Sequence, residues 1–333
     1  MTPAHDVGRF PHLLRRRLGP RWDIAADGPR IRVEHADRAS PYRPPRRHPT
    51  WDELLATIED AFVRQGVARD RCLPLRWGRE TDLTISAVQA LDPLLKDGTT
   101  RTYRQGFIPQ PVVRFTARRD AAGELRDGFT TSFINVSRVE PITDITAYID
   151  AIDGWISVLS AIGLHARHIS ILGDLTVWRR GAVCGTTLRF QHVGETIGDI
   201  VLLWNADEPT RAAIDLGSGL ERLAWARSHL PWTQLIYGGF ADSAPSGVLD
   251  ALRTATLLLG HGISPTSRGA GAATRRVLAT IPRETASPGV SSVVRHFHGY
   301  WNAAAPLPAA WPEITHQIEQ DRLAKSRRGK WAA

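Results

Sequence analysis

Ala212-Ala213-Ile214-Asp215-Leu216-Gly217-Ser218-Gly219-Leu220-Glu221-Arg222-Leu223-Ala224-Trp225 is the stretch around which the chain is organised. An apolar run closes on an acid, two glycines follow with one residue between them, and an amphipathic segment opens on Glu-Arg. The spacing predicts a strand, a tight turn and a helix. Glycines let backbone come close to a ligand, and a helix start offers N–H groups and a positive dipole end to an anion. Arg222, in the first helical turn, adds a fixed positive charge. The local reading is a polyphosphate site with a carboxylate, Asp215, beside it.

At 333 residues the chain has room for two domains. Its 42% hydrophobic and 23% charged content is that of a globular protein, which excludes a disordered chain. The net charge of +8, carried largely by arginine, suits ATP or a nucleic acid and equally suits a solvated basic surface. Cys72 and Cys184 have neither metal-ligand spacing nor the number for a disulfide framework. No secretory leader and no membrane-spanning apolar run is readable, so the expected location is the cytoplasm.

Outward from that stretch, residues 1–50 read as a basic Pro/Arg-rich extension, with a hairpin over 22–34 turning on Asp27-Gly28. A helix opens after Thr50, with Glu53 at the capping-box position and Leu54, Leu55, Ile58, Ala61 and Phe62 on one stripe, and Gly66 stops it. Short β signals over 83–88 precede a hairpin, with strands at 108–115 and 130–139 around a polar loop at 117–127. A long helix spans 142–162, with its stripe Ile145, Ile149, Ile152, Ile156 and Leu159 ended by Gly163. Strands follow near 168–172, 186–192 and 197–204. From 246 onward the pattern is helical, ending in a helix at 311–329. The result is an α+β chain whose sheet is mainly antiparallel with helices on one side. Neither βαβ alternation nor a strand-linked phosphate loop is present, which argues against a Rossmann or P-loop enzyme.

The string Asp215-x-Gly217-x-Gly219-x-Glu221-Arg222-Leu223 resembles motif 3 of the class II aminoacyl-tRNA synthetases, in the form used by alanyl-tRNA synthetases. The hairpin with Arg114 resembles motif 2 of that family; the match to motif 1, around 82–98, is faint. The resemblance covers roughly residues 51–330. It implies a class II synthetase-type catalytic domain over 51–240, then a smaller all-α domain over 241–333, similar to part of the helical tRNA-recognition domain. It also implies ATP and Mg²⁺ as cofactors. Arg114 would hold the α-phosphate and Arg222 the γ-phosphate end, with Asn135, Gly217 and Gly219 also at the nucleotide. Asp215 would grip the amino-acid ammonium, Asp199 would serve as metal ligand or substrate contact, and Trp178 would be an aromatic wall. Ser267, Arg268, Arg275 and Arg276 fall where the family meets its acceptor. The chain departs from the alanyl type in having Asp199 for Asn, Asn135 for a motif 2 Glu and Ser267 for Asn, and in a thinner basic helix.

The function implied is ATP-dependent activation of a small amino acid, alanine first, to aminoacyl-AMP, followed by transfer to an acceptor. Transfer to a tRNA 3′ end, as in an alanyl-tRNA synthetase, is the first alternative. A stand-alone biosynthetic ligase, passing the aminoacyl group to a carrier protein or a small-molecule nucleophile of secondary metabolism, is the second. A non-catalytic paralogue that binds tRNA or an amino acid is the third. The oligomeric state is left open.

Overall fold

The computed structural model describes residues 7–38, 40–77, 82–115, 119–121, 124–282 and 289–330. Residues 117, 118, 122 and 123 of the expected polar loop lie outside them. The chain forms two compact units, each from three segments: Met1–Cys72, Ser86–Pro109 and Asn135–His229 in one, and Leu73–Ile85, Gln110–Ile134 and Leu230–Ala333 in the other.

The elements in order are α1 (Phe10–Leu18), β1 (Trp22–Asp27), β2 (Arg30–His35), α2 (Trp51–Val63), α3 (Asp92–Leu95), β3 (Gly106–Val113) and β4 (Ser132–Ile142). Then come α4 (Ile145–Ala161), β5 (Ile169–Arg180), β6 (Val183–His192), β7 (Glu195–Asn205) and β8 (Ala212–Gly219). The helices α5 (Leu220–Ser228), α6 (Trp232–Tyr237), α7 (Ser246–Gly260), α8 (Gly269–Thr280), α9 (Val290–Ala304) and α10 (Trp311–Lys330) complete the chain. The eight strands form one sheet in the order β1-β2-β5-β6-β7-β8-β4-β3, and its described ladders are antiparallel. The protein is therefore α+β with a mainly antiparallel sheet, as its sequence pattern implies. Among the described residues no helix is long and apolar enough to cross a membrane, and both cysteines are free.

In the first unit the core lies where α2 and α4 pack. Thr50 and Glu53 close the expected capping box on α2, and Asp144 caps α4 through the Thr146 N–H at 2.7 Å. The buried stripe of α4 includes Tyr148 and Trp155, and the Tyr148 hydroxyl donates to the Ile200 carbonyl at 3.1 Å. Phe62 stacks between Phe107 and Trp155, with ring centroids 5.0 and 5.9 Å away. Along β7 the residues Ile200 and Leu202 are thereby buried, while Asp199 and Val201 point to the opposite face, as pleating requires.

Three details differ from the sequence pattern. Residues 10–35, read as part of an extension, form α1 and the expected hairpin, and β2 pairs with β5 as part of the sheet. Residues 87–91, which take in the last two positions of the expected β signals, form a 3₁₀ turn, because Ser86 accepts from the Val88 N–H and Gln89 reaches back to the Ser86 N–H. The tight turn at the glycine pair does not exist: β8 runs through Gly217 and Gly219 directly into α5.

In the second unit α7 is buried along nearly its whole length, against α8, α9 and α10. Two charges are taken inside with it. The Asp250 carboxylate accepts from the Thr131 N–H at 3.0 Å, and burial raises its pKa. Arg253 donates to the Ser132 carbonyl and lies over Tyr300 and Trp301 at 4.8 and 4.6 Å. Glu124 caps α7 by accepting from Ser246 Oγ and the Gly247 N–H.

Tyr42, in the Pro/Arg-rich segment, is tied to the first unit. Its hydroxyl donates to the Arg227 carbonyl at 2.8 Å, and its ring meets His192, His168 and His229 at 4.4, 5.3 and 5.2 Å. His192 is 1% exposed, and neither of its ring nitrogens has a hydrogen-bond partner among the described residues. Burial, then the neighbouring His168, His229 and His165, hold its pKa down at about 4. Below the ordinary histidine value of 6.5 the unfolded chain takes up a proton that the folded imidazole refuses, so stability falls as pH drops from 6.5 towards 4. The expected result is a smaller loss of thermal midpoint over that window in His192→Phe than in the wild type. Equal losses would show that His192 carries none of the dependence.

Candidate functional site

The site is built from the open face of the central strands. Along β8, Asp215, Gly217 and Gly219 are partly exposed while Ile214, Leu216 and Ser218 are buried, so one face of the strand is accessible. The β7–β8 register sets Asp199 opposite Gly217 and Val201 opposite Asp215. A Cβ on Gly217 would lie 3.3 Å from Asn135 Nδ2 and 3.8 Å from Asp199 Oδ1. The glycine therefore leaves a bare strip of backbone between an amide and a carboxylate, with Asp215 one step along the same face.

Asn135, on β4, stands opposite Gly219 and is 4% exposed. Its Oδ1 accepts from Ser86 Oγ at 3.3 Å and from the Ala87 N–H at 3.5 Å, and its Nδ2 donates to the Ser218 carbonyl at 3.4 Å. The amide thus joins the start of the 3₁₀ turn to β8. Arg222 is the third residue of α5. Its Nη1 donates to the Thr196 carbonyl at 3.1 Å, and burial lowers its pKa. Arginine remains charged even so, and a partly dehydrated guanidinium attracts an anion more strongly than a solvated one.

A cavity of about 980 Å³ covers this face, from Asp215 and Asp199 across Thr187 and Trp178 to the β1–β2 hairpin. Trp178 follows an irregularity in β5 that begins after Asp174. Its indole N–H donates to Thr187 Oγ1 at 3.1 Å, Arg180 lies 5.3 Å over the ring, and the ring lies across Gly185. Trp178 is therefore a wall of the cavity. Its floor needs Gly185 to have no side chain, since a Cβ there would come within 2.6 Å of the ring and 2.8 Å of the Leu202 carbonyl.

The remaining residues singled out in the sequence belong to the second unit. Arg114 comes immediately after β3, not within it; its N–H donates to the Thr131 carbonyl at 2.7 Å, and its Nε to the Ile85 carbonyl at 2.5 Å. Its guanidinium lies 5.0 Å over Phe133. Arg276 lies 4.7 Å over Phe115, which is 42% exposed. Ser267, Arg268 and Arg275 are exposed at and along the start of α8.

Sequence reasoning missed the basic side of the cavity: Arg30, Arg32, Arg180 and Arg189 all line it. The alternations Arg30-x-Arg32 and Thr187-x-Arg189 put each pair on one strand face, but the sequence does not say which strands are neighbours. Among the described residues no three His, Cys, Asp or Glu side chains gather to hold a metal. Magnesium commonly takes one or two carboxylates and completes its shell with phosphates and water, and Asp199 fits that donor set. No family model matches the chain, and no curated protein matches it.

The wall geometry is open to a direct check. Gly185→Ala is expected to cost about 1–3 kcal/mol in urea unfolding, as overpacking does. Gly299→Ala, with open space around its Cβ, is expected to be neutral or to stabilise by up to about 1 kcal/mol. Equal effects would contradict the packing of Trp178 over Gly185.

Proposed function

We propose that the chain activates a small amino acid, alanine in the first instance, with ATP to give aminoacyl-AMP and pyrophosphate, in a site of the class II synthetase type. The observation that carries this reading is the β7–β8 face, where two carboxylates flank a bare glycine strip that runs straight into a helix bearing Arg222. The reaction brings a carboxylate to the α-phosphorus of ATP, so the site must neutralise phosphate charge and hold the substrate ammonium.

In this reading Asp215 pairs with the ammonium, and its place beside the Gly217 strip sets the amino acid alongside the nucleotide. Arg222 and the N-terminus of α5 meet the phosphate tail; a planar fork binds phosphate oxygens in pairs. Trp178 bounds the far side of the amino-acid pocket. A Mg²⁺ ion held by Asp199 and the phosphates would supply further charge neutralisation.

The aminoacyl group then goes to an acceptor. The exposed Arg268 and Arg275 of the helical unit suit a tRNA, whereas the mixed charges of the cavity suit a small molecule. A binding protein without chemistry is the remaining reading.

The test is amino-acid-dependent exchange between pyrophosphate and ATP, measured across the common amino acids. Alanine is expected to give exchange that falls about 100-fold or more in Arg222→Ala and in Asp215→Asn, the scale of losing a charge-stabilising contact. Exchange unaffected by either substitution would move the chemistry elsewhere. No exchange with any of them, alongside normal ATP binding, would leave a binding protein.

A further inference from the structure

The cavity is longer than the aminoacyl part of the adenylate needs. Across the sheet, Arg32 stands opposite Leu172, Leu172 opposite Arg189, Arg189 opposite Asp199 and Asp199 opposite Gly217. At about 4.8 Å per strand this row runs about 19 Å from β2 to β8, against about 3.8 Å for one residue of chain. The volume, about 980 Å³, is at the top of the usual range for small-molecule sites, about 300–1,000 Å³. With the amino acid at Asp215, the β2–β5–β6 end is left over.

That end has a definite chemistry. The Arg189 side chain is exposed, lines the cavity, and makes no hydrogen bond or ion pair among the described residues. Arg32, two strands away on the same row, bonds Glu34 at 2.6 Å. Arg30 stands between Asp27 and Asp174 on the neighbouring row. Four carboxylates, Asp27, Asp174, Asp199 and Asp215, line the cavity together with its four arginines. An RNA strand, with a charge on every phosphate, would meet those acids at each step. A short molecule with one anionic end and one amine meets both signs where they stand.

We propose that the β2–β5–β6 end is a second subsite, for a small amino-carboxylate that acts as the acceptor. Its carboxylate is held by Arg189 and Arg32, and its amine is directed towards Asp199 and the activated amino acid. The subsite rests on the activation reading for its chemistry, though not for its binding. The neutral amine attacks the acyl carbon of the aminoacyl-AMP and a C–N bond forms. The C–O bond to the phosphate breaks, AMP leaves with that electron pair, and the amine proton passes to the released phosphate. The product is an amide, with no change in oxidation state.

The test uses glycylglycine, an amine and a carboxylate joined by a short chain, titrated into the whole protein loaded with the non-hydrolysable mimic alanyl-sulfamoyl-adenosine. Glycylglycine is expected to bind, and its affinity to fall about 10-fold or more in Arg189→Ala and in Arg32→Ala, the scale of a lost charged hydrogen bond. The loss should exceed any change in mimic affinity, and Arg189→Lys should recover part of it. No binding of glycylglycine, or binding unchanged in both alanine variants, overturns the subsite. Total tRNA binding that depends on Arg189 and displaces glycylglycine overturns it in favour of RNA. Failure of the mimic itself to bind counts against the activation reading. Glycylglycine titrated into the unloaded protein then decides the subsite through the same variants.

Discussion

The register of β7 against β8 is the constraint on which the site depends. A slip of one residue would turn Asp199 and Asp215 towards α4 and bring Ile200 and Leu216 to the open face. Several contacts fix the register. Tyr148, buried on α4, bonds the Ile200 carbonyl, and Ser218 Oγ donates to the Ile197 carbonyl. Gly198 allows the strands to meet, since a Cβ there would lie 2.5 Å from the Gly217 carbonyl. The apolar side of the sheet therefore determines which charges appear on the other side.

How much of this was legible in the sequence follows from the range of each interaction. Helices α2 and α4 announce themselves through stripes, caps and glycine stops only a few residues apart, and so does the hairpin turning on Asp27-Gly28. The pairing of residues 30–34 with residues 170–174 does not, because nothing local encodes it. That is why the first fifty residues read as an extension when part of them belongs to the sheet. The glycine pair is ambiguous for another reason. Glycine serves both where the backbone needs a left-handed angle and where a neighbour needs room. Gly217 serves the second purpose, and composition alone does not separate the two.

The same division applies to the candidate site. Asp215, Gly217 and Arg222 are close in sequence, and the passage from strand to helix that carries them is legible in the pattern; Asp199 comes opposite Gly217 only through the β7–β8 ladder. Trp178 was readable as an aromatic near the site, though only Gly185 across the ladder explains how it lies flat. The arginines of β2 and β6 were invisible as a group, since they meet only after β2, β5 and β6 are laid side by side. Asn135 joins Ser86, Ala87 and Ser218 through its amide, a set of partners on three separate segments that no local pattern encodes. The charges directly opposed on this face are of opposite sign, Arg30 with Asp27 and Asp174 and Arg189 with Asp199, so the mixed pattern is favourable within the sheet itself.

Hydrogen–deuterium exchange of the whole protein, with and without ATP, Mg²⁺ and alanine together, tests the central claim most directly. If the β7–β8 face is the ligand site, slowed exchange is expected in β7, β8 and the first turn of α5, with a smaller effect around Trp178 in β5. Slowed exchange confined to the helices of the second unit, or no change in β7 and β8 at saturating ligand, would contradict the account.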